Sequence, residues 1–254
     1  AYTLQLYFDF SGYSDMAIGL SWMFNVRLPF NFDSPYRATN ISDFWRRWHM
    51  TLSQFLRDYL YITLGGNRKG VVRRYVNLMT TMILGGLWHG ASWSFVIWGF
   101  LHGLYLALNH GFRALCGPTL RAKLENSRSF ALVAWLITML SVIVAWVIFR
   151  ASTLVGASNI LRSMAEPATG MQAHVLLWNA GLQLSSGTVW CLALGVVALL
   201  APNTNQIGNQ VLRRCRTQTG TRFLLTGASV AIVTFMMLVN SLRESVSAFI
   251  YFNF

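Results

Sequence analysis

The sequence predicts an all-α fold: a polytopic transmembrane helical protein with broken or re-entrant helices and amphipathic helices at the interface. Three observations point there. Of the 254 residues, 54% are hydrophobic and only 11% charged, against roughly 25% charged in an ordinary soluble domain. Several stretches approach the roughly 20 apolar residues needed to cross about 30 Å of hydrocarbon. Arg and Lys gather in blocks beside those stretches, as short cytoplasmic loops require.

The opening segment, LYFDFSGYSDMAIGLSWMFN, is apolar but carries Asp9 and Asp15, with Ser11, Gly12 and Ser14 between them. Acids inside a membrane are costly enough to mark function by default. The stronger expectation here is local: Ser14 or Asp15 caps a helix over Met16 to Phe24. Residues 42 to 62, SDFWRRWHMTLSQFLRDYLYI, place Phe44, Trp45, Trp48, Leu52, Phe55, Leu56, Tyr59 and Leu60 at helical spacing, with Arg46, Arg47 and Arg57 on other faces. That pattern predicts an amphipathic helix lying on the cytoplasmic membrane surface, its N-terminus capped by Asn40, Ser42 or Asp43. His49 follows Trp48 at the edge of the apolar stripe.

From Val76 to Leu108 there is no Asp, Glu, Lys or Arg, and His89 sits inside the run GGLWHGASW. The whole apolar stretch, Val76 to Asn109, would be about 51 Å long as one straight helix. That is too long for one crossing and short for two. Because basic residues flank both ends, a broken or re-entrant hairpin is favoured, with Gly85, Gly86 and Gly90 as candidate breaks. A single steep helix is the competing geometry, and it would place Arg113 outside, against the charge rule. Irregular backbone at membrane depth must face protein or a water-filled cavity, which His89 would line.

Beyond Arg128, spans are expected over Phe130 to Phe149, near Gly187 to Ala201, and over Phe223 to Asn240, with a mixed loop from Ala151 to Ser186 broken at Pro167 and Gly170. The end, ESVSAFIYFNF, reads as an aromatic tail docked on protein or interface. The start, AYTLQ, has no initiator Met and no basic leader, so the chain is expected to be part of a longer protein.

Several function classes recede. The net charge of +12 comes with no nucleic-acid recognition motif, and topology accounts for it better. Cys116, Cys191 and Cys215 have no disulfide or metal spacing. The five histidines, His49, His89, His102, His110 and His174, include no i, i+4 pair, so no metal site is expected. What remains is two imidazoles, His49 and His89, on elements able to converge at a broken-helix cavity. Each has an ordinary structural alternative, as an interfacial residue or as a buried polar group joining helices. A neutral imidazole can also take a proton from a hydroxyl near pH 7.

The runs YFDFSGYSDMAIGLSWMF, LPFNFDSPYRATNISDFWRRWHMTLSQFLRDYLYITLGGNRKG and GGLWHGASWSFVIWGFLHG, with the terminal FIYFNF, closely resemble the bacterial branch of the membrane-bound O-acyltransferase family, in particular its alginate O-acetyltransferase-like members. The WHG motif alone is weak; its position about forty residues after FWRRWH, with RDYLYI and LGGNRKG between, is specific. The resemblance implies that residues 1–254 are the C-terminal portion of a single multi-pass membrane O-acyltransferase domain whose N-terminal helices precede Ala1, in a bacterial inner membrane. It implies His89 as the residue essential for acyl transfer and His49 as its partner position. No bound cofactor is implied; acetyl-CoA or a similar acyl thioester is the donor substrate, with Trp88, Trp93, Arg46, Arg47 and Asn40 as candidate binding residues. Implied partners are the bilayer and a periplasmic acetyltransferase or polysaccharide-export proteins. Anionic lipid is the simpler ligand for the basic surface around Arg46, Arg47, Arg57, Arg68 and Lys69. A transporter would also use broken helices but should carry paired interrupted segments. A docking scaffold would tolerate loss of His89.

Overall fold

The computed structural model describes residues 1–166, 184–217, 220, 224, 227–228 and 230–235. Among these, all regular structure is helical. Helix α1 runs unbroken over Tyr2–Met23 and buries Leu6, Phe10, Ser14 and Ile18 along one stripe four residues apart. The expected cap at Ser14 or Asp15 is therefore wrong: both lie inside α1. Ser14 is instead buried and accepts a hydrogen bond from the Asn31 side chain at 3.3 Å. Elsewhere along α1, Ser21 Oγ turns back onto the helix and donates to the Ile18 carbonyl at 2.8 Å.

After α1 the chain is extended until a short 3-10 turn at Pro35–Arg37. Tyr36 pins that turn to α1 by donating to the Thr3 carbonyl at 2.6 Å. Helix α2 (Ile41–Arg47) then starts on a side-chain cap, Asn40 Oδ1 accepting from the Asp43 N–H at 2.9 Å. The single amphipathic helix expected over 42 to 62 is not continuous. It divides into α2, α3 (Met50–Phe55) and a turn of π-helix at Leu56–Tyr61, with the break at Trp48 and His49. The extended segment causes that break, because the Asp33 N–H bonds to the Arg47 carbonyl and the Met50 N–H to the Asn31 carbonyl, each at 3.0 Å. These bonds replace helical ones.

The long apolar stretch is a tight helical hairpin: α4 (Gly70–Leu87), a turn at residues 88–92, and α5 (Trp93–Glu125). The break thus falls beside Gly90, while Gly85 and Gly86 lie within α4 and serve close packing. A methyl on Gly86 would overlap the Phe95 carbonyl oxygen, and one on Gly99 the Met82 carbonyl oxygen, so the two backbones touch where neither residue has a side chain. At the open end, Tyr75 of α4 lies 6.4 Å from His110 of α5, ring centre to ring centre. Helix α5 kinks at Gly117–Pro118, where Gly117 takes φ +62°.

Helix α6 (Arg128–Arg150) starts on a Ser127 cap and buries Val142, Ala145, Trp146 and Phe149 on one face. Leu132, Val133, Leu136, Ile137 and Leu140 are more than half exposed. It is the one described helix long and apolar enough to cross a membrane unaided, with mean hydropathy 2.6. The expected loop after it contains α7 (Leu154–Ala165). The expected span near Gly187 is α8 (Leu184–Leu200), bent by 56° against α9 (Thr204–Thr217) and qualifying as a span only if the bent pair counts as one. That bend clamps the extended segment: Asn203 donates to Asp33 at 2.7 Å, Asn205 to the Phe32 carbonyl at 2.9 Å, and Arg37 to the Ala201 carbonyl. Half of the expected span at 223–240, and all of the terminal tail, lie outside the described residues.

Candidate active site

His49 occupies the joint between α2 and α3 and has φ +44°, a left-handed conformation that costs an L-residue about 1–2 kcal/mol. The flanking backbone bonds to residues 31 and 33 hold it there. Its ring meets Phe10 edge-on at 4.8 Å and Trp88 at 6.1 Å. Nδ1 lies 3.1 Å from Asn31 Oδ1, which also accepts from the Thr51 N–H at 3.3 Å and the Thr51 hydroxyl at 3.0 Å. Burial among these rings, helped by the neighbouring His89, pushes the His49 imidazole down to about 4.

His89 sits in the turn that closes the hairpin, its N–H bonded to the Gly86 carbonyl at 3.0 Å. Its ring is walled by Trp88, Trp98 and Phe149, with centroids 4.9, 5.3 and 5.0 Å away. It is partly exposed, and no hydrogen bond to its ring is found among the described residues. The two imidazoles, forty residues apart in sequence, face one small cavity of about 10 Å³ lined also by Trp45, Trp48, Trp98 and Trp146. That is about the room one water needs. His49 and Trp88 also border an open groove of about 520 Å³ along α1, lined by Phe10, Tyr13, Leu28 and Asn31. His49 is thus the wall between an inner pocket and an outer approach.

The remaining candidates fall elsewhere. Trp88 is 59% exposed at the groove, and Trp93 is 74% exposed at the start of α5, lining neither space. Asn40 caps α2 and borders a separate cleft between α5 and α6. Arg47 pairs with Asp43 at 3.0 Å and lies 3.9 Å from Asp33, so it braces the α2 joint. Arg46 is exposed, and Arg57 pairs with Asp58 at 2.7 Å. His102 is fully buried, its Nδ1 accepting from Trp45 at 3.3 Å. No cluster of three His, Cys, Asp or Glu able to hold a metal occurs among the described residues.

Sequence reasoning passed over Asn31, Trp98 and Trp146. The last two had a signal. Trp98 and His102 are four apart, and Val142, Ala145, Trp146 and Phe149 form an i, i+3, i+4, i+7 stripe. Asn31 had none, because its partners lie 17 to 20 residues away across an irregular segment.

The arrangement can take a proton at one of two neutral rings beside a water-poor pocket. Comparison with known proteins finds relatives named for acyl transfer. A peptidoglycan O-acetyltransferase of Helicobacter pylori is 51% identical over 164 residues, covering 65% of this chain and 30% of that protein. A protein of Pseudomonas aeruginosa named "probable alginate O-acetylase" is 44% identical over 214 residues, covering 84% of this chain and 38% of its own length. A teichoic acid D-alanyltransferase of Streptococcus thermophilus is 34% identical over 119 residues, covering 42% and 28%. The chain spans about a third of the length of these curated relatives. Residues 1–151, which contain both imidazoles and both helices of the hairpin, match the family itself, and the chain belongs to the membrane-bound O-acyltransferase family, alongside its alginate O-acetylase-like members.

Proposed function

We propose that this chain is the catalytic portion of a multi-pass inner-membrane O-acyltransferase that moves an acetyl group from a cytoplasmic thioester, acetyl-CoA or a close analogue, toward a hydroxyl of an exported cell-envelope polymer or a periplasmic relay protein. The observation that carries this reading is the meeting of His49 and His89 at one small, indole-walled cavity. A hydroxyl is a poor nucleophile until a base removes its proton as it attacks, and such assistance contributes about 10²–10⁴ in rate. The acceptor oxygen adds to the thioester carbonyl carbon while His89 takes the hydroxyl proton. The tetrahedral intermediate collapses with cleavage of the C–S bond, and the imidazolium returns its proton to the departing thiolate. Products are an ester and a free thiol, and the base is regenerated. Tight aromatic walls keep out water that would otherwise hydrolyse the thioester.

The greater similarity to proteins named for acetyl transfer than to one named for D-alanyl transfer favours an acetyl donor. The exposed apolar face of α6 and the sealed contact between α4 and α5 suit lipid surroundings.

The test uses the full-length protein in its own membrane. His89→Ala and His49→Ala, with insertion checked, should lower polymer acetyl content and acetyl-CoA-dependent transfer by about 10²-fold or more. Normal acetylation by a well-inserted His89→Ala variant would overturn the mechanism.

A further inference from the structure

We infer that Asn31 is a positioning residue that fixes the tautomer of His49, so that His49 can only accept a proton at the cavity and cannot donate one. The role in turnover rests on the acyl-transfer reading; the tautomer does not.

The neighbours of Asn31 fix which way its amide points. The backbone N–H of Thr51 is a donor under all conditions, and it lies 3.3 Å from Asn31 Oδ1. The atom in that place must therefore be the carbonyl oxygen, with Nδ2 on the other side. Nδ2 there donates to Ser14 Oγ at 3.3 Å; that hydroxyl could pair with either amide atom, so the Thr51 N–H alone decides the orientation. Since Oδ1 is fixed as an acceptor, the His49 nitrogen 3.1 Å from it must carry the hydrogen. In a neutral imidazole, a protonated Nδ1 leaves Nε2 with the lone pair.

Two consequences separate the histidines. His49 Nε2 cannot hydrogen-bond a thioester carbonyl or a developing oxyanion, because it has no proton to offer. It can accept, from the attacking hydroxyl or from a ring N–H of His89, whereas His89 has no tautomer imposed on it by the described residues. The strain at His49 (φ +44°) fits this assignment: the same extended segment that forces the left-handed turn also supplies the amide that reads the ring. Among the described residues, the titratable groups facing the ring are the His89 imidazole and, across the groove, the Tyr13 phenol of α1, and no carboxylate lines either space.

Two measurements on the full-length protein in bilayers test the inference. The first needs no substitution at Asn31: nitrogen-15 NMR of histidine-labelled protein, with the His49 signal identified by its loss in His49→Asn. Protonated Nδ1 with unprotonated Nε2 at neutral pH is expected; the reverse tautomer would overturn the proposal. The second is Asn31→Asp, which keeps the acceptor and the shape but places a negative charge against Nδ1–H. Carbethoxylation of His49 by diethyl pyrocarbonate, followed by mass spectrometry across pH, should then show its midpoint raised by about one unit or more. The acid limb of acetyl transfer should move the same way, with kcat affected more than KM. An unchanged labelling midpoint would sink the proposal even if transfer fell, since that would leave Asn31 a merely structural residue. Absence of acetyl transfer in the wild-type protein, with the labelling shift present, would instead sink the functional reading and leave the tautomer standing.

Discussion

At the scale of single residues, His49 joins backbone strain to chemistry, and the two separate by substitution. Asn tolerates the left-handed region better than any β-branched residue. His49→Asn is therefore expected to keep the protein's thermal stability in detergent while transfer falls about 10²-fold or more. His49→Val should lose the same activity and in addition about 1–2 kcal/mol of stability, read as a lower melting temperature. Equal melting of the two variants would mean the turn at residue 49 is not strained. Arg46 and Arg47 look alike in FWRRWH but part in the structure, Arg46 exposed and Arg47 held between Asp43 and Asp33. Arg47→Ala should cost stability of less than about 1 kcal/mol, as half-exposed ion pairs do, with no change in KM for acetyl-CoA. His89 was legible in the sequence because an imidazole in a charge-free run demands a reason. Asn31 was not, because an asparagine in an irregular segment makes long-range bonds that no period announces.

At the scale of elements, the hairpin of α4 and α5 is set by absent side chains. Gly99→Ala would push a methyl into the Met82 carbonyl, and overpacking of this kind costs about 1–3 kcal/mol. Gly111→Ala, on the same helix with open space around it, should be neutral or slightly stabilising, since Ala favours helix. Measuring both by thermal unfolding in one detergent checks the contact; comparable effects at the two positions would refute it. The hairpin was readable in advance from flanking charge and a stretch too long for one crossing; the cap was readable only as one of Asn40, Ser42 and Asp43, and the structure selects Asn40. The division of α2 from α3 was hidden, because Phe44, Trp48, Leu52 and Phe55 keep helical spacing straight through the joint. Only the backbone bonds from residues 31 and 33 reveal why the helix stops, and such bonds leave no mark on composition.

At the scale of the molecule, the described helices surround one aromatic core in which Tyr7, Phe10, Phe44, Trp48, Trp98, Trp146 and Phe149 interlock, with the candidate site at its edge. The hairpin brings Lys69 and Arg113 to one end. In a full-length, otherwise cysteine-free background, Lys69→Cys and Arg113→Cys should both react with a membrane-impermeant maleimide added from the cytoplasmic side; labelling from opposite sides would replace the re-entrant hairpin with a crossing. The seam between residues 31–33 and 47–50 has a further consequence for how this stretch can change over time. Its two backbone bonds flank the imidazole on either side, so the intervening loop acts as a ruler of fixed length. Adding or removing even one residue between positions 34 and 46 would slide the histidine out of reach of its amide, so substitutions there should be admitted more readily than insertions or deletions.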